Sequence, residues 1–285
     1  MISGSNRFSS NSPQAISLMR EFLSVCEQAA RAGGQILLDW QHRFTPREKG
    51  LRDLVTEADV ASQQAIRDIL LGSFPDHDFL GEEDASFPPT AKTSGQSEYL
   101  WIVDPLDGTA NYVHHMPAFA VTISLQKAGE TVLGIVFDPI ADEFYHAIKG
   151  EGTFLNGKQV QTSGCQSPEQ AMVAVSFAPN VPRGSMEIAR FIEALHSCQS
   201  VRRLGSAALN LAYLAAGRLD SYWATSVKIW DVAAGLLMVQ ESGGTVSRID
   251  GEKLNLANPE FLASASRPLQ NEMLKILSKA RGTNP

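Results

Sequence analysis

Glu82, Asp104, Asp107 and Asp231 are the side chains of this sequence whose type and setting point most directly to chemistry. Carboxylate oxygens are the hard ligands that Mg²⁺ prefers, in an octahedral shell completed by waters and phosphate oxygens. Two such ions held close together activate a water and stabilise the leaving oxygen of an in-line displacement. Asp104 and Asp107 stand three residues apart around a turn kinked by Pro105, so both carboxylates can converge on one point. Glu82 ends a strand in GEED and Asp231 precedes a helix in WD, and both can reach the same edge of a sheet. Gly108 lets the backbone approach a ligand closely, and the N–H groups of Gly108 and Thr109 can hold a phosphate. The Thr109 hydroxyl can orient an attacking water. A bare D-x-x-D pair is more often a solvated turn or a helix cap. WIVDPLDGT says more, because an apolar strand delivers two acids, a Gly and a Thr within residues 101–109.

The elements that must position these residues differ between the two halves of the chain. Ala15, Leu18, Met19, Phe22, Cys26, Ala29, Gly33, Ile36, Leu37 and Trp40 recur at helical spacing and predict an amphipathic helix. The segment TPREKGLRD reads as a loop, and a second helix is expected from about Glu57 to Leu71. ASFPPTAKTSGQSE reads as a surface loop by its Pro, Ser and Thr content. FAVTISLQKAGETVLGIVFDP predicts a hairpin turning at Ala128-Gly129, and EFYHAIKGEGTFLNGKQV another with Asn156-Gly157 at its tip. Two helices on a largely antiparallel sheet follow for residues 14–166. After about Ser167 strands and helices alternate: AMVAVSF, a helix through Ile188 to Leu195, a small-residue helix from Ser206 to Ala216, strand LDSYWAT, helix Asp231–Glu241 and a last helix near Leu269–Ala280. Residues 167–285 thus form an α/β lobe, with 1–13 a disordered lead-in and no internal repeat.

Bulk composition narrows the function. A chain of 285 residues, 44% hydrophobic and 19% charged, is long enough for one large core or two packed halves. No run reaches the ~18 apolar residues of a membrane span, and MISGSNRFSSNSPQ lacks the apolar core of a secretory signal, so a cytoplasmic protein is expected. Cys26, Cys165 and Cys198 are widely spaced, which argues for reduced thiols rather than a disulfide framework or zinc cluster. A net charge of −7 argues against a nucleic-acid partner. It also repels an anionic substrate, unless some of the carboxylates hold divalent cations that reverse the local sign.

GEE at 81–83, WIVDPLDGTANYVHHMP at 101–117 and WDVAAG at 230–235 resemble the three signatures of the inositol monophosphatase family. DLVTEAD at 53–59, with Lys49 before it, resembles that family's upstream loop, and GSAALNLAYLAAGRLDSYW at 205–223 its substrate-side helix and strand. The similarity runs from about Ala15 to Arg267 in order and spacing. It implies a fold of mixed α+β and α/β character, the layered αβαβα sandwich of the inositol monophosphatase and fructose-1,6-bisphosphatase type. It also implies a Mg²⁺-dependent, Li⁺-sensitive phosphatase, usually a homodimer, whose metal-activated water attacks a phosphate monoester directly, inositol 1-phosphate above all. By position, Glu82, Asp104 and the Leu106 carbonyl would bind a first Mg²⁺, and Asp104, Asp107 and Asp231 a second, with a weaker third ion near Glu82. Thr109, hydrogen-bonded to Asp53, would join Glu82 in activating water. Asp107, Gly108, Thr109, Gly205, Ser206, Ala207 and Asp231 would meet the substrate, and Lys49 would ride a mobile loop.

Other residues mimic site chemistry. Glu83 should face away from Glu82, as neighbours in extended chain do. Adjacent His114 and His115 seldom face one point, Asp138 and Asp142 are turn formers beside Pro139, and Gly243-Gly244 is a helix stop. Substrate choice is where the family pattern breaks: Ala224 occupies the place of the Glu that binds ring hydroxyls in inositol-specific members. Lys228, three residues before Asp231, could serve a second phosphate or a subunit contact. A fructose 1,6-bisphosphatase, histidinol-phosphatase or 3′-nucleotidase type is the alternative, the run ANYVHHMP disfavouring the last, and a non-catalytic regulator on the same fold is a remote one.

Overall fold

The computed structural model describes residues 13–41, 43, 47–50, 53–86, 97–178 and 180–281. Helix α1 (Pro13–Trp40) turns Phe22, Cys26, Ala29, Ala30 and Leu37 inward, a stripe at helical spacing. Strands β1 (Arg47–Gly50) and β2 (Asp53–Val55) pair antiparallel, so the segment read as a loop is a short hairpin. Its polar composition carries no alternating pattern to announce strands. Helix α2 (Glu57–Ser73) opens on a capping box: Thr56 Oγ1 accepts from Ala58 N–H at 3.1 Å, and Asp59 accepts from Thr56 N–H at 2.9 Å.

A seven-stranded sheet follows, in the order β3-β4-β5-β6-β7-β8-β9. Its strands are β3 (Asp78–Gly81), β4 (Tyr99–Asp107), β5 (Ala120–Lys127), β6 (Glu130–Asp138), β7 (Glu143–Ile148), β8 (Gly152–Leu155) and β9 (Lys158–Val160). All pairings are antiparallel except β3 with β4. The turns Ala128-Gly129 and Asn156-Gly157 put both residues at positive φ, the conformation of two-residue hairpins. The second expected hairpin is three strands, because Gly150, at φ +83°, makes a further turn between β7 and β8. A five-residue helix, α3 (Thr109–Val113), lies between β4 and β5.

The second half builds a five-stranded mixed sheet from β10 (Met172–Ser176), β11 (Ser200–Arg202), β12 (Ser221–Ala224), β13 (Thr245–Ser247) and β14 (Phe261–Ser264), ordered β11-β10-β12-β14-β13. Its helices are α4 (Met186–Ser197), α5 (Ala207–Ala215), α6 (Ile229–Glu241) and α7 (Arg267–Ser278). Three apolar cores define the layers. One joins α1 and α2 to the large sheet, a second packs α5 and α6 between both sheets, and a third sets α4 and α7 on the far face of the small sheet. This is the αβαβα sandwich. β5 and β6 are buried almost end to end because helices cover both faces of the large sheet. Among the described residues no helix is long and apolar enough to cross a membrane.

Candidate active site

Strand β4 carries the first two acids. It pairs Asp104 with Thr122 and Asp107 with Ala120, leaving an irregular step between them. The expected Pro-kinked turn is therefore a bulge within a strand, where a proline costs no ladder bond. Asp104 Oδ1 accepts from Leu106 N–H at 2.9 Å, and the Ser62 hydroxyl donates to the Pro105 carbonyl at 3.3 Å. The Leu106 side chain is buried in the core, while its carbonyl accepts from the Thr109 hydroxyl at 3.2 Å. A carbonyl oxygen has a second lone pair to offer.

Asp107 is held by the N-terminus of α5. The Ser206 hydroxyl donates to it, as do Ala208 N–H at 2.8 Å and Ala207 N–H at 3.2 Å. Gly108 has φ +96°, and a Cβ there would stand 2.9 Å from the Ala118 carbonyl oxygen and 3.4 Å from that of Gly205. Asn111 holds this crowded corner together, its Nδ2 donating to Ala118 O at 2.7 Å and Leu204 O at 2.8 Å. Asn111 links the large sheet's loop to the start of α5, and only its position just after DGT hints at this in the sequence.

Glu82 opens a 3₁₀ turn, Glu82–Ser86, at the end of β3. Asp84 fixes that turn by accepting from Gly81 N–H at 2.8 Å and Gln63 Nε2 at 3.1 Å and by pairing with Arg67. Glu83 is fully buried and its N–H donates to Gln63 Oε1 at 2.9 Å, whereas Glu82 keeps exposed surface. Asp231 lies inside the first turn of α6 rather than before the helix, and accepts from Lys228 N–H at 2.7 Å.

Electrostatics ties these four together. Burial pushes Asp104 well above the usual carboxylate range, and the charges of Glu82, Asp107 and Asp231 push it further. Asp107 rises to about 6 by burial, although Ser206, Ala208 and Ala207 oppose the shift. Asp231 rises by burial and by the charge of Asp107, with Lys228 N–H opposing. Asp104 is 2% exposed and Asp107 8%, and among the described residues no Lys or Arg pairs with Asp104, Asp107 or Asp231. Buried like charges need protons or cations to coexist. Four carboxylates and a carbonyl are the donor set of a hard divalent cation such as Mg²⁺, so the residues fit one. Among the described residues no three acids, histidines or cysteines stand in finished ligand geometry. Asp107 and Asp231 are turned instead toward the N–H groups of α5 and of Lys228.

The remaining expected residues fall as follows. Lys49 and Asp53 lie on β1 and β2, their side chains outside the described residues, and β2 packs beside α3, which Thr109 begins. Gly205, Ser206 and Ala207 meet the DGT turn directly, at Asn111 and Asp107. His114 and His115 are exposed beyond α3. Asp138 caps its turn by accepting from Ile140 N–H at 2.9 Å and Ala141 N–H at 3.0 Å, and Asp142 pairs with Arg31. Gly243, at φ +92°, ends α6. Ala224 is fully buried at the end of β12, and Lys228 is exposed.

The family model that matches the chain and the relatives named below identify it as a phosphatase of the hydrolase class, a class in which an acid cluster of this kind has a use. The chain belongs to the inositol monophosphatase family, whose model matches residues 18–281. That family is Mg²⁺-dependent. An inositol-1-monophosphatase of Caulobacter vibrioides is 37% identical over 241 residues, 82% of this chain and 90% of the relative. A protein of Pasteurella multocida named Nus factor SuhB is 34% identical over 262 residues, 90% of this chain and 96% of the relative. The crystal structure of extragenic suppressor protein suhB from Bartonella henselae superposes with a TM-score of 0.84 at 32% identity, covering 91% of this chain and 99% of that one.

Proposed function

We propose that this chain hydrolyses the phosphate monoester of a small polyol, with inositol 1-phosphate as the substrate that fits best. The observation that carries the reading is the set of buried carboxylates Asp104 and Asp107 with half-buried Asp231 and Glu82 beside them, the first three all raised by burial and by the charge of the other acids of the set. These four and the Leu106 carbonyl would hold two or three Mg²⁺ ions. When bound, Mg²⁺ supplies positive charge for the phosphoryl oxygens and makes water more acidic. The backbone N–H groups of Gly108 and Thr109 would receive the phosphate, Gly108 holding the left-handed φ of +96° at which the turn leaves β4 for α3. Thr109 and Asp53 orient the attacking water. The new P–O bond forms as the bond to the alcohol oxygen breaks, and that oxygen leaves with a proton. Lys49, on β1, would belong to a mobile loop that closes over the metals, and the working form would be a cytoplasmic homodimer inhibited by Li⁺.

Ala224 and Lys228 favour one second reading, a related sugar-phosphate or bisphosphate phosphatase. Buried Ala224 offers no acceptor to a ring hydroxyl, and Lys228 is an exposed cation near Asp231. Phosphate release over a panel of inositol, sugar, histidinol and nucleotide phosphates, with and without Mg²⁺, separates the readings. Release from inositol 1-phosphate only with Mg²⁺ is expected. Preference for a bisphosphate overturns the inositol assignment, and no release from any monoester overturns the enzymatic one.

A further inference from the structure

Strands β11, β10 and β12 run parallel and side by side, and their chain order reverses at β10. Ligands of α/β sheets enter at the carboxyl ends of strands around such a reversal. Three helices begin at that edge. The first turn of α5 holds Asp107 and that of α6 carries Asp231. The first turn of α4 carries Glu187, which the site described above does not use.

Glu187 Oε1 accepts from the hydroxyl of Thr225, and from that of Ser226 at 3.2 Å. These are the two residues that follow Ala224 where β12 ends. An acid in a first turn often does no more than meet the helix dipole. Here Ser185 already caps α4, accepting from Ile188 N–H at 3.3 Å, while Glu187 reaches a residue 38 positions away. The loop it grips leads directly into the helix of Asp231. Both hydroxyls meet the same oxygen, so Oε2 accepts from no side chain or N–H among the described residues, and the carboxylate is only half-buried. An aimed carboxylate with a free oxygen accepts hydrogen bonds from alcohol hydroxyls and repels a second anion.

We propose that Glu187, held by Thr225 and Ser226, is the specificity-determining acceptor for the hydroxyls of the substrate's alcohol portion. It returns from α4 the acceptor that Ala224 cannot supply from β12. The assignment rests on the phosphomonoesterase reading above and narrows its substrates to neutral polyhydroxy alcohols bearing one phosphate.

The test compares wild type, Glu187→Gln and Glu187→Ala with Mg²⁺, on inositol 1-phosphate and on p-nitrophenyl phosphate, whose alcohol has no further hydroxyl. Losing hydrogen bonds to a charged acceptor should lower kcat/KM for inositol 1-phosphate about tenfold, chiefly through KM. The ratio of kcat/KM between the two substrates should fall by the same factor. The double variant Thr225→Val, Ser226→Ala keeps the carboxylate but loosens it, and should lower the ratio part of the way. Equal losses on both substrates mark a clamp that merely shapes the loop, and overturn the proposal. So does a ratio unchanged in an active enzyme, which leaves the phosphatase reading standing. A wild type that releases phosphate from neither substrate overturns both.

Discussion

At the scale of single residues, Asp104 concentrates the conflict in the site. It is buried, it faces Glu82, Asp107 and Asp231, and its own bond to Leu106 N–H does not offset their repulsion. Asp104→Asn keeps the shape and removes one negative charge. Phosphate release should fall on the order of a thousandfold, the scale at which lost charge stabilisation shows in turnover. Stability should move the other way: in EDTA the variant should melt at or above the parent, because a neutral amide relieves the crowding. Thermal scans in EDTA and a phosphate assay in Mg²⁺ check both halves, and a variant that stays active would misplace the site. Glu82, Asp104, Asp107 and Asp231 were legible in the sequence because WIVDPLDGT and WD are short and local. Their restraints were not. The Ser206 hydroxyl on Asp107 and the Gln63–Asp84–Arg67 group behind Glu82 join residues far apart in the chain.

At the scale of elements, the site depends on how β4, α3 and α5 are pinned at one corner. Asn111 does the pinning with two bonds from a single amide nitrogen. Asn111→Ala leaves the Ala118 and Leu204 carbonyls short of a donor in a place with little access to water. A loss of about 2–3 kcal/mol is expected, since buried acceptors lose their full compensation. Denaturant melts measure it, and kcat should drop with it because Gly108 rests against the Ala118 carbonyl. Most of the longer helices are legible in the sequence because apolar periodicity marks them, while the caps at Thr56 and Ser206 emerge only from the structure. Strands were read less well. The bulge through Pro105 resembles a turn in sequence, and the Gly150 turn hides between two apolar runs that look continuous. Strand β1 is REKG, without an apolar residue, and β2 is only three residues long, so no alternating pattern separates the pair from a loop.

At the scale of the whole molecule, two titrating systems set the conditions under which the sandwich holds. The first is on the outer face of the large sheet, where His77 stacks on Phe74 and Tyr99 with Phe22 and Trp101 around it. Burial lowers its pKa, with Asp76 opposing. The unfolded chain takes that proton near pH 6.5, the folded one only at lower pH, so this share of stability is present above about pH 6.5. It is lost as the pH falls through the folded value. His77→Phe should flatten the drop in melting temperature between pH 7 and 5, and an unchanged slope would remove His77 from the account. The second system is the acid cluster, which draws on both sides of the sandwich: Glu82, Asp104 and Asp107 from the large sheet, Asp231 from α6. A divalent cation bound there joins the layers and acts only on the folded state. At a hundredfold excess over its Kd, Mg²⁺ should add about 2.7 kcal/mol. For a chain of 285 residues that is a rise in Tm of about 4–5 °C. EDTA should reverse the rise. Asp231→Asn should shrink it while keeping the Lys228 N–H bond through the amide oxygen, so a smaller shift reports the lost ligand rather than a frayed helix. An equal rise in that variant would place the stabilising cation elsewhere on this acidic chain.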